Sequence, residues 1–431
     1  MSEVMTAFPA SNDHWLDARN REIPAGLVTV HPLVIGKGRG AEVWDVEGTR
    51  YLDFAGGSGG LNIGHNHPAV VSAITRQLNQ FTGDCFRVAA SPLYIRLACR
   101  LNQLVGGDEA FQTVFFNTGA DAVAQAVNSA RAFTGRPGII TFEGAFHHSS
   151  LADCRLTGHS PVGQADSAHG ASDVCSLLYP DSSRGISEAD CRAALWHCLA
   201  GGERAGQVAA ILLEPIQGES GIIPAPASFM QYLQRICRQY DMLLICDELQ
   251  SGFGRTGEMF AYEQSGVMPD LVITGNPGTG LPMSAVTGRR AVMNASRPVS
   301  PQGGNALACA AALAVLEVLG EEDLLNRSLL LGERLSQRLV QMREKYACLR
   351  YVRGRGLMLA VEIVDPDTGK RDAALAQAIL DAACIEGLLL VRCGLYRNVI
   401  RFLAPLVTTN AQLEEAFHLF ELALARATGR L

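Results

Sequence analysis

Four short stretches carry residue types that could do chemistry, and each lies in or directly after an apolar run. In "LLICDELQSGFGRTG" (243–257), Asp247 and Glu248 follow a fully apolar segment, at the edge where α/β sheets place their ligands. A carboxylate there is costly unless it meets a cation or a strong donor. A protonated ring nitrogen is one such partner; the N-terminus of a following helix, capped by the Asp, is another. "FFNTGADAVAQAVNSARAF" (115–133) reads as a strand, a tight Thr-Gly turn and a helix start. Thr118, Gly119 and Ala120 would present a hydroxyl and backbone N–H groups at the positive helix end, a seat for phosphate. An ordinary strand–helix turn with a threonine cap fits the same residues. In "ITFEGAFHHSSL" (140–151), Phe146 and His147 follow another strand end, where an aromatic ring could stack on a planar ligand. Arg401, inside the apolar "NVIRFLAPL", needs a carboxylate partner. A substrate or a structural ion pair would each supply one.

Other candidates point elsewhere. His147, His148 and the earlier "HNH" (65–67) are adjacent in a way that does not match zinc-ligand spacing, so no metal site is expected. "RGRG" (353–356) reads as turn chemistry. Of the 36 basic residues only Lys37, Lys345 and Lys370 are lysines, so a lysine nucleophile has three candidates, none in a promising segment.

The elements that must position these groups alternate along the chain. Residues 40–54 alternate around "EG" as a β-hairpin leading into the glycine cluster "AGGSGG". From about 68 to 290, the apolar runs "TVFFN" (113–117), "GIITF" (138–142), "AAILLE" (209–214), "MLLIC" (242–246) and "DLVIT" (270–274) are separated by helical patterns. Apolar on both faces and joined by crossovers, they predict a mostly parallel sheet covered by helices, an α/β architecture. After about residue 305 come two long helical stretches. Strands near 349–353, 357–363, 387–392 and 399–403 and a closing helix at 410–428 then complete a smaller α+β lobe. The expected division is an N-terminal segment (1–60) packing with the small domain, a large domain (61–305) and a small C-terminal domain (306–431).

Composition bounds the function. The 431 residues are 48% hydrophobic and 18% charged, as in a globular chain. A net charge of −7 argues against nucleic acid or an anionic membrane as partner. No apolar run is long enough to span a bilayer. The N-terminus lacks the basic start and apolar block of a signal peptide. Twelve cysteines without a C-x-x-C pair suit reduced thiols in a cytoplasmic enzyme.

Taken in order, "LNIGHNHP", "FFNTGADAV", "LEPIQGESG", "DELQSGFGRTG", "GNALACAAALAVLE" and "VRGRGLMLAVEI" resemble the class III aminotransferases that depend on pyridoxal 5'-phosphate (PLP). Within that family the likeness is greatest to the 4-aminobutyrate branch, and it covers nearly the whole chain. The resemblance implies the PLP-dependent transferase fold of type I and a homodimer, or a tetramer built from it, with active sites at the subunit interface. It implies that Thr118, Gly119 and Ala120 hold the cofactor phosphate, that Phe146 stacks on the ring with His147 beside it, and that Asp247 pairs with the ring nitrogen. Gln250 would reach the ring hydroxyl. Arg401 would grip the α-carboxylate of glutamate, and Glu219 would neutralise Arg401 when that carboxylate is absent.

The chain departs from the family in three places. An arginine that holds the γ-carboxylate of 4-aminobutyrate is replaced by Ser149 in "FHHSS", which argues for an amine without that distal carboxylate. The segment whose threonine reaches the phosphate across the dimer is shortened to "VSPQGGN", where Ser300 is the nearest substitute and Pro301 occupies the aligned place. In "DLVITGNPGTGLP" (270–282) every flanking position fits if one residue is inserted between Gly275 and Asn276, where the family carries its Schiff-base lysine. The expected activity is transfer of an amino group between an amine or amino acid and a 2-oxo acid, 2-oxoglutarate in the first place. The alternative is a lysine-less homologue that binds PLP or its amine form non-covalently, without turnover or on a preformed cofactor adduct.

Overall fold

The computed structural model describes residues 11–83, 86, 88–107, 109–147, 173–200, 205–298 and 303–430. Ser149 and Ser300 lie outside the described residues.

The chain opens with a helix, Asn12–Glu22, capped by Ser11, and an antiparallel meander of β1 (Ile35–Arg39), β2 (Glu42–Asp45) and β3 (Arg50–Asp53). Asp45 closes the β2–β3 turn by accepting from the N–H groups of Glu47 and Thr49, and Gly48 takes the left-handed φ of +89° that the turn demands.

The central sheet comprises β4 (Phe111–Phe116), β5 (Gly138–Phe142), β6 (Val174–Leu177), β7 (Val208–Leu213), β10 (Leu243–Glu248), β11 (Leu271–Thr274) and β12 (Ser284–Arg289). A short ribbon, β8 (Ile216–Gln217) with β9 (Ile223–Pro224), lies between β7 and β10 in the chain. The sheet order is β4-β12-β11-β10-β7-β5-β6; β12 runs antiparallel to both neighbours and the other pairings are parallel. Every residue of β7 and β10 is buried. Full burial of side chains such as Ile211 and Leu244 contributes about 1.5–3 kcal/mol each relative to exposure. The sheet is mixed but mostly parallel, as the apolar runs predict. The sequence pattern missed β6 and β12, the first a four-residue edge strand.

The C-terminal part begins with the helices Ala306–Glu321 and Leu324–Lys345. An antiparallel sheet follows, β13 (Leu349–Arg355), β14 (Met358–Ile363), β17 (Val399–Phe402) and β16 (Val391–Cys393), in that spatial order. The helices Ala373–Glu386 and Asn410–Ala427 pack against each other beside it. The run expected as one strand near 387–392 divides: β15 (Leu388–Leu389) leaves to pair parallel with β3, and β16 stays with β17. "RGRG" is not simply a turn, because Arg353 and Arg355 belong to β13 and pair across it with Ala360 and Met358.

Arg255 joins these parts. Fully buried, it donates from Nη1 to the Ala404 carbonyl (2.5 Å) and from Nη2 to Asn62 Oδ1 (2.6 Å). Its own carbonyl accepts from Leu357 N–H and from the Ser328 hydroxyl, both at 3.0 Å. Burial pulls its guanidinium pKa down to about 10, against the opposing charge of Asp53.

Candidate active site

The candidate residues gather at the edge of the central sheet where the parallel strands end. β4 runs out at Phe116, and the helix Gly119–Thr134 starts three residues later, with Thr118 as its N-cap. The Thr118 hydroxyl accepts from Asp121 N–H (3.2 Å) and donates to Asp121 Oδ2 (2.6 Å). The threonine cap is therefore real and occupies the hydroxyl. The amides of Gly119 and Ala120, in the first turn, are the donors left for an anion. Ser284, which opens the antiparallel β12 at the same edge, donates its hydroxyl to the Thr118 carbonyl (2.6 Å) and fixes this turn.

β10 extends through Asp247 and Glu248, both buried. No helix follows: residues 249–260 are turns and bends, so Asp247 is not a helix cap. Its Oδ2 lies 2.7 Å from His147 Nδ1, and its Oδ1 accepts from Leu249 N–H (3.1 Å). His147, five residues beyond the end of β5, is 1% exposed, and its Nε2 is buried with no protein partner among the described residues. Glu214, at the end of β7, completes a buried cluster. It accepts from Phe146 N–H through Oε1 (2.9 Å) and from Gly218 N–H through Oε2 (3.0 Å). Burial pushes the Glu214 carboxyl up to about 7, with His147 opposing the shift and Asp247 adding to it. Glu214 ends an apolar run just as Asp247 does, and that signal could have marked it from the sequence alone.

Glu248 points the other way. It accepts from Tyr262 N–H (2.8 Å) and from the Ser251 hydroxyl, and burial raises its carboxyl to about 7. It braces the loop after β10 and contributes nothing to the cluster around His147.

A second chain of contacts leads from Gln250 to the small lobe. Gln250 Nε2 donates to the Ser58 carbonyl (3.2 Å) and to Glu219 Oε1 (3.4 Å), while its Oε1 is buried without a protein partner. Glu219 Oε1 in turn meets Arg401 Nη1 at 2.5 Å. Arg401 is 4% exposed in the middle of β17, and its Nε is also buried without a protein partner. Both readings of Arg401 meet here: it has a protein carboxylate, and that carboxylate is 30% exposed. Gly218 packs so tightly on Gln250 that a Cβ there would lie 1.8 Å from Gln250 Oε1.

The residues fit PLP on their own chemistry. A buried carboxylate suits a protonated ring nitrogen, the unpartnered acceptor Gln250 Oε1 suits a hydroxyl donor, and two first-turn amides suit a phosphate. The covalent anchor does not fit. Asn276 follows Gly275 directly, and its Oδ1 closes its own turn by accepting from Gly278 N–H (2.9 Å), Thr279 N–H (2.7 Å) and the Thr279 hydroxyl (2.8 Å). The three lysines lie elsewhere: Lys37 over the Trp44 ring, Lys345 on Glu421, and Lys370 in an exposed turn after β14.

A family model described as aminotransferase class-III matches residues 25–424. The chain is 41% identical to the 5-aminovalerate aminotransferase DavT of Pseudomonas aeruginosa over 410 residues, 94% of this chain and 96% of that one. It is also 41% identical to the 4-aminobutyrate aminotransferase GabT of Escherichia coli over 414 residues, 95% and 97% of the two chains. Among solved structures, an aminotransferase of Bacillus anthracis superposes with a TM-score of 0.88 at 26% identity, covering 98% of this chain and 100% of its own.

Proposed function

Because this chain belongs to the class III aminotransferases, which work with PLP, we propose that it moves an amino group from a simple amine or amino acid to 2-oxoglutarate, giving glutamate. The observation that carries the 2-oxoglutarate assignment is the pairing of buried Arg401 with the half-exposed Glu219. Such a pair presents a bidentate cation to a carboxylate substrate and hides that cation when the substrate has none. The donor side follows from Ser149, which stands where 4-aminobutyrate enzymes carry an arginine. A donor lacking a distal carboxylate fits that position, and 4-aminobutyrate is a poor substrate on this reading.

The cofactor, when bound, supplies an electron sink for the charge that develops at the substrate carbon. Asp247 would hold the proton on the ring nitrogen, with its carboxylate fixed by His147 through Nδ1. The first-turn amides of Gly119 and Ala120 would anchor the phosphate, Phe146 would cover one face of the ring, and Gln250 Oε1 would accept from the ring hydroxyl. Ser300 is the candidate for the phosphate contact made across a homodimer, or a tetramer of two such dimers. We place the enzyme in the cytoplasm, which suits twelve cysteines without paired spacing.

Family membership favours turnover over the non-catalytic alternative. The Gly275–Asn276 junction is the feature that alternative rests on. Titration of the protein with PLP, followed by the amine half-reaction in single turnover, separates the two. A protein that gains visible absorbance with PLP and processes amines supports the transferase reading. One that binds PLP yet processes no amine leaves only the binding role.

A further inference from the structure

The loop that carries Glu219 is pinned at every residue from 218 to 221. Gly218 N–H is held by Glu214, the Glu219 carbonyl accepts from Gly394 N–H (2.7 Å), and the Ser220 hydroxyl donates to the Gly144 carbonyl. The Gly221 carbonyl accepts from Arg353 Nε (2.8 Å). Arg353 is itself held by Glu362, whose Oε2 lies 3.0 Å from Nη1. Glu362 is 3% exposed, and its Oε1 takes Arg371 (3.2 Å) and Asn398 Nδ2 (3.3 Å). Arg371 reaches on to the Ser183 carbonyl (3.1 Å). One buried carboxylate of the small lobe thus aims two arginines at backbone carbonyls of the large lobe. The fit at Gly221 is close: its φ is +121°, and a Cβ there would sit 2.7 Å from Arg353 Nη2.

We propose that Arg353, held by Glu362, is a positioning residue for substrate selection, which fixes the backbone of Glu219 so that its carboxylate competes effectively for Arg401. This rests on the reading of Arg401 as the carboxylate site. Arg401 is held in β17 opposite Ala360 and Val391, and its guanidinium bonds Glu219 rather than Arg353. Glu219, by contrast, meets Arg401 from a loop, and a loop holds a pairing only as firmly as its anchors. A bound carboxylate must displace Glu219, so its apparent affinity falls as the internal pair strengthens. Loosening the anchor therefore weakens the internal competitor and strengthens carboxylate binding, the opposite of what general destabilisation would do.

The test measures binding of glutarate, a dicarboxylate that cannot exchange an amino group, to the cofactor-loaded protein by calorimetry. Arg353→Met should tighten glutarate binding, on the order of fivefold, and raise the KM of a carboxylate-free amine donor while leaving kcat for 2-oxoglutarate little changed. Glu219→Gln should tighten glutarate likewise, and the double variant should gain nothing further. Should Arg353→Met fail to fold, Arg353→Lys keeps the charge facing Glu362 and loses the forked donor to Gly221, so the same direction is expected. Unchanged or weaker glutarate binding in a folded Arg353 variant, or independent gains in the double variant, would overturn the proposal. Arg401→Ala is the control: if it leaves glutarate binding intact, the carboxylate site itself is misassigned, whatever Arg353 does.

Discussion

Replacing Arg401 with alanine should separate the two substrates of the reaction. Arg401 lies in a buried strand between Ile400 and Phe402, with Ala360 and Val391 as its cross-strand neighbours. Its guanidinium meets Glu219 at 2.5 Å, and its Nε has no protein partner. A dicarboxylate that displaces Glu219 gains the whole fork, and truncating one side of such a buried charged contact costs about 2–5 kcal/mol. At 1.4 kcal/mol per factor of ten, kcat/KM for 2-oxoglutarate should fall by roughly 30-fold to a few thousandfold. A carboxylate-free amine never engages Arg401, so its kcat/KM should change by less than about threefold, within the effect of one surface contact. Glu219 is 30% exposed and can rehydrate when its partner is lost, so the fold should survive. Each half-reaction can be followed alone by the absorbance of the cofactor, with amine or 2-oxo acid in single turnover. Equal losses in the two half-reactions would show that Arg401 is structural and that the substrate carboxylate binds elsewhere.

Gly218→Ala should act as a remote deletion of Gln250, because the new Cβ would occupy the place of Gln250 Oε1. Its loss in PLP affinity should match that of Gln250→Ala, about fivefold for one neutral hydrogen bond, and wild-type affinity in Gly218→Ala with a weakened Gln250→Ala would refute the placement. Asp247→Asn should lower PLP affinity and the rate of both half-reactions together, since it removes the charge that holds the ring proton; loss confined to one half-reaction would contradict that role. Glu248, fully buried with its carboxyl raised to about 7, makes stability depend on pH. The folded state binds the extra proton, so its stabilising contribution is complete below the unfolded value and is lost as pH rises to about 7. Glu248→Gln should flatten the decline in chemical-denaturation stability between about pH 4.5 and 7, and an unchanged slope would refute it.

Much of the sheet was legible because its strands are buried on both faces. "AAILL", "MLLIC" and "LVI" carry no polar residue to break the run, so β7, β10 and β11 stood out, with Asp247 at the end of one of them. Arg401 was legible for the same reason, as a cation with no solvent to meet. The strands β6 and β12 were not. "SAVTGR" is half polar in its second part and runs against its neighbours, so neither hydrophobicity nor the crossover rhythm marked it. The site was legible as separate residues and not as contacts. His147 and Asp247 are a hundred positions apart, and only the sheet order, with β7 between β5 and β10, brings their ends together. Arg353 was read as part of a turn because its glycine neighbours suggest one. Its partner Glu362 lies across the hairpin and its acceptor Gly221 on the other lobe, a relation no local pattern encodes.

The proposed activity is transfer of amino groups to a 2-oxo acid, with PLP held between Asp247, Gln250 and the first turn of the helix Gly119–Thr134. The most direct measurement incubates the purified protein with PLP, 2-oxoglutarate and a carboxylate-free amine, and counts glutamate formed per active site. Many turnovers per site are expected, with loss of that signal in Arg401→Ala. Glutamate no higher than with PLP alone, across a broad panel of amines and with PLP demonstrably bound, would contradict it.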